Sequence, residues 1–153
     1  MVTSQRIRNT LIGIAGVHFV VSELSLRNLI ALPTIRNTAG ADVLVASEDG
    51  SWHASIQVKT WQRKVTFWPV GRGYERWTGE NKFYVFLRFL PKESHCEAFL
   101  ESANRICEDV KCDLERARSR GLKEWGPCWV LPKDTKECER LQQQWKVFGQ
   151  PRS

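Results

Sequence analysis

Apolar residues at Ile12, Ala15, Phe19, Val20 and Leu24, with others beside them, set the pattern of the first thirty positions. That spacing follows the 3.6-residue repeat and leaves little of the circumference polar, so it predicts a largely buried helix over residues 10–29. The period then changes. "LIALPTIRN" is a short apolar run holding Pro33, which removes a backbone donor and predicts an edge strand or a strand ending in a loop. Two strands are predicted over residues 42–46 and 54–60, where side chains alternate between an apolar and a more polar face. Asp49-Gly50 between them is a two-residue hairpin signal.

Farther along, "KVTFWPV" predicts a short strand followed by a Gly-containing loop, and "FYVFLRFL" a buried strand. From about residue 94 to 120, apolar side chains recur at Phe99, Ala103, Ile106, Val110, Leu114 and Ala117, and Gly121 stands where a helix C-cap belongs. "PCWVLP" predicts a last strand, and Asp134 with Glu137 a capped helix over residues 135–148. The order helix, strands, helix, strand, helix predicts an α/β or α+β sheet with helices packed on it. At 153 residues the chain suits a single domain with one core.

Composition narrows the setting. With 42% hydrophobic and 26% charged residues, the chain has the balance of a globular protein. No apolar run reaches the roughly 20 residues needed to span a bilayer. The apolar stretch over residues 11–21 is followed by Glu23 and Arg27 without a small-residue cleavage site, which predicts a core helix and not a signal peptide. Five cysteines form no C-x-x-C pair, and an odd count argues against a disulfide framework. A reducing, cytoplasmic setting with no membrane partner is the expectation. The net charge of +6 favours an anionic partner, nucleic acid being the commonest.

The hairpin supplies candidate chemistry. Counting outward from a two-residue Asp49-Gly50 turn sets Val45 opposite Ala54, Val43 opposite Ile56 and Asp42 opposite Gln57. Val43, Val45, Trp52, Ala54, Ile56 and Val58 then form one apolar face, and Asp42, Gln57 and Lys59 share the other. A carboxylate, an amide oxygen and the Val58 backbone carbonyl are oxygen ligands of the type Mg²⁺ prefers. An ammonium beside them suits a developing phosphate charge or an attacking water. Glu23, within the first apolar stripe, is a fourth candidate. The same residues also suit plainer roles: Asp42 and Lys59 as a solvated cross-strand pair, and Glu23 as the partner of Arg27 one turn on.

"GIAGVHFVVSEL", "ALPTIRNTAGADVLVASEDG", "IQVKT" and "YVFLRF" resemble, in that order, segments of small bacterial proteins of the PD-(D/E)xK nuclease superfamily. The resemblance covers about residues 13–90. It implies a restriction-endonuclease-like mixed central β-sheet flanked by α-helices, and a DNA endonuclease that hydrolyses phosphodiester bonds with Mg²⁺ or Mn²⁺. Carried over by position, the motif aspartate falls on Asp42, the (D/E) position on Gln57, the lysine on Lys59, and the first-helix glutamate on Glu23. Asp42, Gln57 and the Val58 carbonyl would hold the metal. Two departures stand out: Gln57 replaces an acid, and Val17 stands where related helices often carry a glutamate after their glycine.

The resemblance also predicts a basic, aromatic surface, for which the sequence offers Trp61, Arg63, Lys64, Arg72, Tyr74, Arg76 and Lys82. Trp68 and Val70 in the same stretch are expected in the core, and His53 at the surface. Cutting both strands of a duplex takes two sites, which a homodimer would supply. The alternative is the same fold kept as a catalytically inactive nucleic-acid-binding or assembly module. The partner in either case is DNA, with RNA chemically compatible.

Overall fold

The computed structural model describes residues 4–35, 40–90, 95–123 and 126–148. Arg36 and Asn37 of the edge-strand segment, and Ser94 at the start of the predicted second helix, lie outside the described residues.

The chain opens with helix α1 (Ser4–Ser25). It begins before residue 10 because Gln5, Arg6 and Arg8 are good helix formers, and Gln5 Nε2 donates to Asn9 Oδ1 one turn on, at 2.9 Å. It stops short of Leu29 because Asn28 turns left-handed, with φ 59°. Leu29 N then donates to Leu24 O at 3.2 Å and Asn28 N to Ser25 O at 3.0 Å, which satisfies the terminal carbonyls.

Strands β1 (Ile30–Pro33), β2 (Val43–Ala46) and β3 (His53–Trp61) form an antiparallel meander. The short strand β4 (Phe67–Pro69) and a single 3-10 turn at Tyr74–Arg76 lead into β5 (Lys82–Leu90), which runs parallel to β3. Strand β6 (His95–Ser102) follows, then α2 (Ala103–Ser119), β7 (Cys128–Val130) and α3 (Thr135–Gln143), which passes into a 3-10 turn at Gln144–Phe148. The main sheet has the order β1-β2-β3-β5-β6, and β4 pairs with β7 in a separate ribbon. The described residues are thus mixed α/β: a mixed five-stranded sheet with three α-helices. Pro33 sits on an edge strand, where its missing donor costs no ladder bond.

One predicted element is corrected. The helix expected from about residue 94 begins only at Ala103, and β6 precedes it. Phe99, Ala103 and Ile106 do fit a helical spacing, but eight residues from His95 to Ser102 pair with β5. Cys96, Ala98 and Leu100 pack toward the α1 side, whereas Phe99 packs on the opposite face. Ser102 marks the change, its side chain capping the helix by accepting from Arg105 N at 3.3 Å. At the other end Gly121, with φ 62°, closes α2 as its position predicts.

Alternation along β5 divides the core. Val85 and Leu87 face α1 with Val20, Leu24, Val43 and Ile56. Tyr84 and Phe86 face α2 and the β4–β7 ribbon, where Trp68 and Trp129 are buried as the sequence predicts for Trp68. His53 is exposed, as expected. On the α1 side the helix comes very close to β3: a Cβ placed on Gly16 would lie 1.9 Å from Thr60 Oγ1. Only glycine permits that approach, which brings the first half of α1 beside the start of β2.

Candidate functional site

The β2–β3 hairpin keeps the predicted register but not the predicted turn. Val43 pairs with Ile56 and Val45 with Ala54. The connection is a four-residue loop over residues 48–51, closed by Ser47 N donating to Trp52 O at 2.9 Å and Gly50 N to Ser47 O at 3.0 Å. Asp49 Oδ1 accepts from Ser47 Oγ, Ser51 N and Ser51 Oγ, which pulls its carboxyl down to about 2. Residues added symmetrically about the turn leave the register unchanged.

At the far end of the hairpin Asp42 sits one step out of register. Its amide donates to Ile56 O at 2.8 Å, the residue already paired with Val43, and its carbonyl accepts from Thr34 N at 3.0 Å. This small bulge swings the carboxylate to the edge of β3, where Oδ2 accepts from Val58 N at 2.7 Å. Asp42 therefore straddles Gln57 instead of standing directly opposite it. The N–H and C=O of a strand residue point the same way, so the Val58 carbonyl faces the same vacated edge.

Asp42 and Lys59 lie within each other's field and have no closed ion pair among the described residues. Burial pushes the Asp42 carboxyl above its ordinary value, against the Val58 amide and the Lys59 ammonium, which both lower it. Burial likewise pulls the Lys59 ammonium down, against the opposing Asp42 charge. Each group is held closer to its neutral form than in water, and each would gain from an added partner of opposite charge.

Two clefts flank this part of the sheet. One, of about 470 Å³, lies between the first half of α1, the end of β1, and Asp42 with Val58. The other, of about 330 Å³, lies on the opposite face and is lined by Gly40, Gln57, Trp77, Tyr84 and the cations Arg76 and Lys82, among others. Asp42 belongs to the first and Gln57 to the second, so Asp42 keeps Lys59 within its field but does not share a cleft with Gln57. Gln57 Oε1 is buried and has no hydrogen-bond partner among the described residues.

Glu23 goes elsewhere. Its Oε2 accepts from Arg27 Nη1 at 2.8 Å, the helical contact that its spacing allows, and it does not line the Asp42 cleft. The α1 residues that do include Asn9, Thr10, Val17 and His18. Val17 thus occupies a position facing Asp42, and the carboxylate that the resemblance would put there is absent. Sequence reasoning passed over Asn9, Thr10 and His18. The signal was available in their spacing, since 10, 14, 17 and 18 share one helical face.

The residues expected to meet nucleic acid are divided. Arg63, Lys64, Arg72 and Arg76 are exposed. Trp61 is half-buried against the core with the Arg63 guanidinium over its ring at 4.6 Å, and Lys82 Nζ stands 4.9 Å from the centroid of Trp77. Tyr74, expected at the same surface, is buried in the core within the 3-10 turn, 7% exposed.

Among the described residues no three His, Cys, Asp or Glu side chains converge. A cation at the hairpin end would have Asp42 as its one charged ligand, with neutral oxygens and water completing the shell. The donors that share this edge and suit a hard divalent ion are the half-buried Asp42 carboxylate and the Val58 carbonyl, while the buried Gln57 Oε1 lines the other cleft. No family model, curated protein or solved structure matches the chain. Among the described residues no helix is long and apolar enough to cross a membrane.

Proposed function

We propose that the chain is a phosphodiester hydrolase of PD-(D/E)xK type acting on DNA, with its catalytic centre at Asp42, Gln57 and Lys59. The observation that carries the reading is the Asp42–Lys59 arrangement: opposite charges, both partly desolvated, held at an open sheet end beside a cleft without neutralising each other in a salt bridge. A purely structural pair would close, because an open one forgoes the Coulomb attraction that offsets its desolvation.

In this reading Asp42 and the Val58 carbonyl would hold Mg²⁺ or Mn²⁺, with the Gln57 amide turned toward them from the neighbouring cleft, and the ion would supply positive charge for a phosphate and an acidified water. Lys59, its ammonium destabilised by burial, is suited to take a proton from the attacking water or to face charge growing on the phosphate. The Val58 amide fixes one Asp42 oxygen and leaves the other for the ion. The exposed Arg63, Lys64, Arg72 and Arg76 fit the phosphates of a strand. Two copies of the chain would supply the two sites that a double-strand cut requires.

The decisive experiment incubates plasmid and short duplexes with the protein and Mg²⁺, Mn²⁺ or a chelator, beside Lys59→Met. Metal-dependent cuts that disappear in the variant support the hydrolase. Salt-sensitive DNA retention without cuts, unaltered in Lys59→Met, would replace it with a non-catalytic binding module. The neutral Gln57 is the observation that favours this second reading.

A further inference from the structure

The cleft behind Gln57 holds polar groups that the hydrolase reading does not use. Among the described residues five buried side-chain atoms lack a hydrogen-bond partner, and three of these belong to this one lining: Gln57 Oε1, Trp77 Nε1 and Tyr84 Oη. With Gln57 assigned to the cation, an indole N–H and a phenol remain. Trp77 is 9% exposed and Tyr84 1%. A buried donor left unmade costs about 1–3 kcal/mol, so a fold keeping two in one lining sacrifices stability. The fold can satisfy such groups elsewhere: Trp68 Nε1 donates to Leu87 O at 3.1 Å and Trp129 Nε1 to Asp109 Oδ2 at 3.4 Å.

The rest of the lining indicates what would complete them. Trp77 and Tyr84 are aromatic, and Gly40 lies flat on the Trp77 ring, where a Cβ would come 2.6 Å from Cε3. Lys82 covers the outer side of the indole, and the Arg76 guanidinium reaches across Gly73, 3.5 Å from where its Cβ would be. Neither cation has a carboxylate partner among the described residues. Both are long, flexible side chains, easily swung from a cover position toward an anion. Burial keeps the Tyr84 phenol protonated, so it can donate as well as accept.

We propose that this cleft, lined by Trp77, Tyr84, Arg76 and Lys82, is a binding site for one nucleotide. A base edge would take the indole and phenol hydrogen bonds, and its phosphate would bridge the two cations. A nucleobase is planar and carries donors and acceptors on its edge, which an aromatic pocket with two unsatisfied polar groups suits better than a saturated ligand. Its source is either a free mononucleotide or an unstacked nucleotide of a strand. The inference goes beyond the hydrolase reading and does not depend on it.

The test is a titration of the full chain with the four deoxynucleoside 5′-monophosphates, the matching nucleosides and inorganic phosphate, followed by tryptophan fluorescence. Saturable binding of a monophosphate, at least tenfold tighter than phosphate alone, is expected. Tyr84→Phe and Arg76→Met should each weaken it about tenfold. Asp42→Asn should leave it unchanged, which separates failure here from failure of the hydrolase. A second arm uses single strands and bulged duplexes carrying 2-aminopurine at the unpaired position. A Tyr84-dependent signal there, without monophosphate binding, assigns the site to strand-borne nucleotides. Phosphate binding as tightly as the monophosphates, or no Tyr84-dependent signal in either arm, overturns the proposal. Tyr84→Phe only removes a partnerless hydroxyl, so its fold is expected to survive, and unchanged circular dichroism checks that.

Discussion

Polar groups are treated in opposite ways in two neighbouring regions, a closed end on β6, α3 and the second half of β5, and an open end on β2, β3 and the start of β5. In the first they are closed off. Arg88, 7% exposed, pairs with Glu97 and donates to Val65 O at 2.6 Å, while Glu101 accepts from Arg140 Nη2 at 2.6 Å and Ser102 N at 2.7 Å. Where β2 begins beside β3, Asp42 and Lys59 stand partly buried without closing, and Gln57, Trp77 and Tyr84 keep unsatisfied atoms. The chain can pair off buried polar groups and does so at one end. Their open state at the other is therefore best read as room left for something that binds.

The comparison breaks most visibly by deleting a partner at the closed end. Arg88→Met strands the Glu97 carboxylate and the Val65 carbonyl, and should cost about 3–5 kcal/mol. Chemical denaturation measures it. A loss below about 1 kcal/mol would mean that the closed network does not stabilise the fold, and the contrast would lose one of its sides.

Next in size is Gly16→Ala. The added methyl meets Thr60 Oγ1, so α1 must lift or Thr60 must turn, at about 1–3 kcal/mol. Lifting the helix also widens the cleft at Asp42, so metal-dependent cleavage should fall by more than the stability loss explains. Measuring Tm and rate on the same preparation separates the two effects.

Much of this architecture is legible in the sequence, and the exceptions share a cause. The helical period of α1, the hairpin register and the caps at Gly121 and Asp134 are local signals, and the structure keeps them. Strand β6 was hidden because Phe99 to Ile106 satisfies a helical spacing; only pairing with β5, a contact remote in sequence, overrides it. The Asp49-Gly50 pair gave the register while misnaming the turn, since adding one residue to each side is silent in the count. At the site, the alternation that puts Gln57 and Lys59 together is legible. The bulge that turns Asp42 onto the Val58 amide is not, because Thr34, just beyond β1 and remote from the hairpin turn, holds the Asp42 carbonyl. Tyr74 reads as a surface residue because its neighbours are cationic, yet it lies buried in the 3-10 turn.

Substitutions at the open end should behave in the reverse sense, with a pH signature. Asp42 has a raised carboxyl pKa in the folded protein, so its ionisation costs stability as pH rises from about 3.9 through the folded value. Asp42→Asn should therefore raise Tm slightly at pH 7 and lose that gain by pH 3. Lys59 has a lowered pKa, so its charge costs stability below the folded value, and the cost disappears above about 10.4. The gain in Lys59→Met should be present at pH 7 and shrink as pH rises through that window. Both variants should lose metal-dependent cleavage. In the unaltered protein Mn²⁺ affinity should fall with pH through a window lying above that of an ordinary aspartate, since the ion competes with the raised proton affinity. Lower Tm in either variant would mean that the two groups stabilise the fold as a pair.

The smallest expected effect isolates a single atom. Tyr84→Phe deletes a hydroxyl that is buried and has no hydrogen-bond partner among the described residues, in a ring stacked against Phe86 with centroids 5.5 Å apart. Nothing that holds the ring is touched, so stability should stay within about 0.5 kcal/mol or rise toward 1 kcal/mol, the range for relieving an unpaired buried polar group. At the closed end the matching change is Trp68→Phe, which removes the donor to Leu87 O and leaves a cavity at a fully buried ring, at about 2–4 kcal/mol. Denaturation of both variants under one set of conditions makes the comparison quantitative. Equal losses would show that the Tyr84 hydroxyl is satisfied in solution by water held in the cleft, and that the open end is no less completed than the closed one.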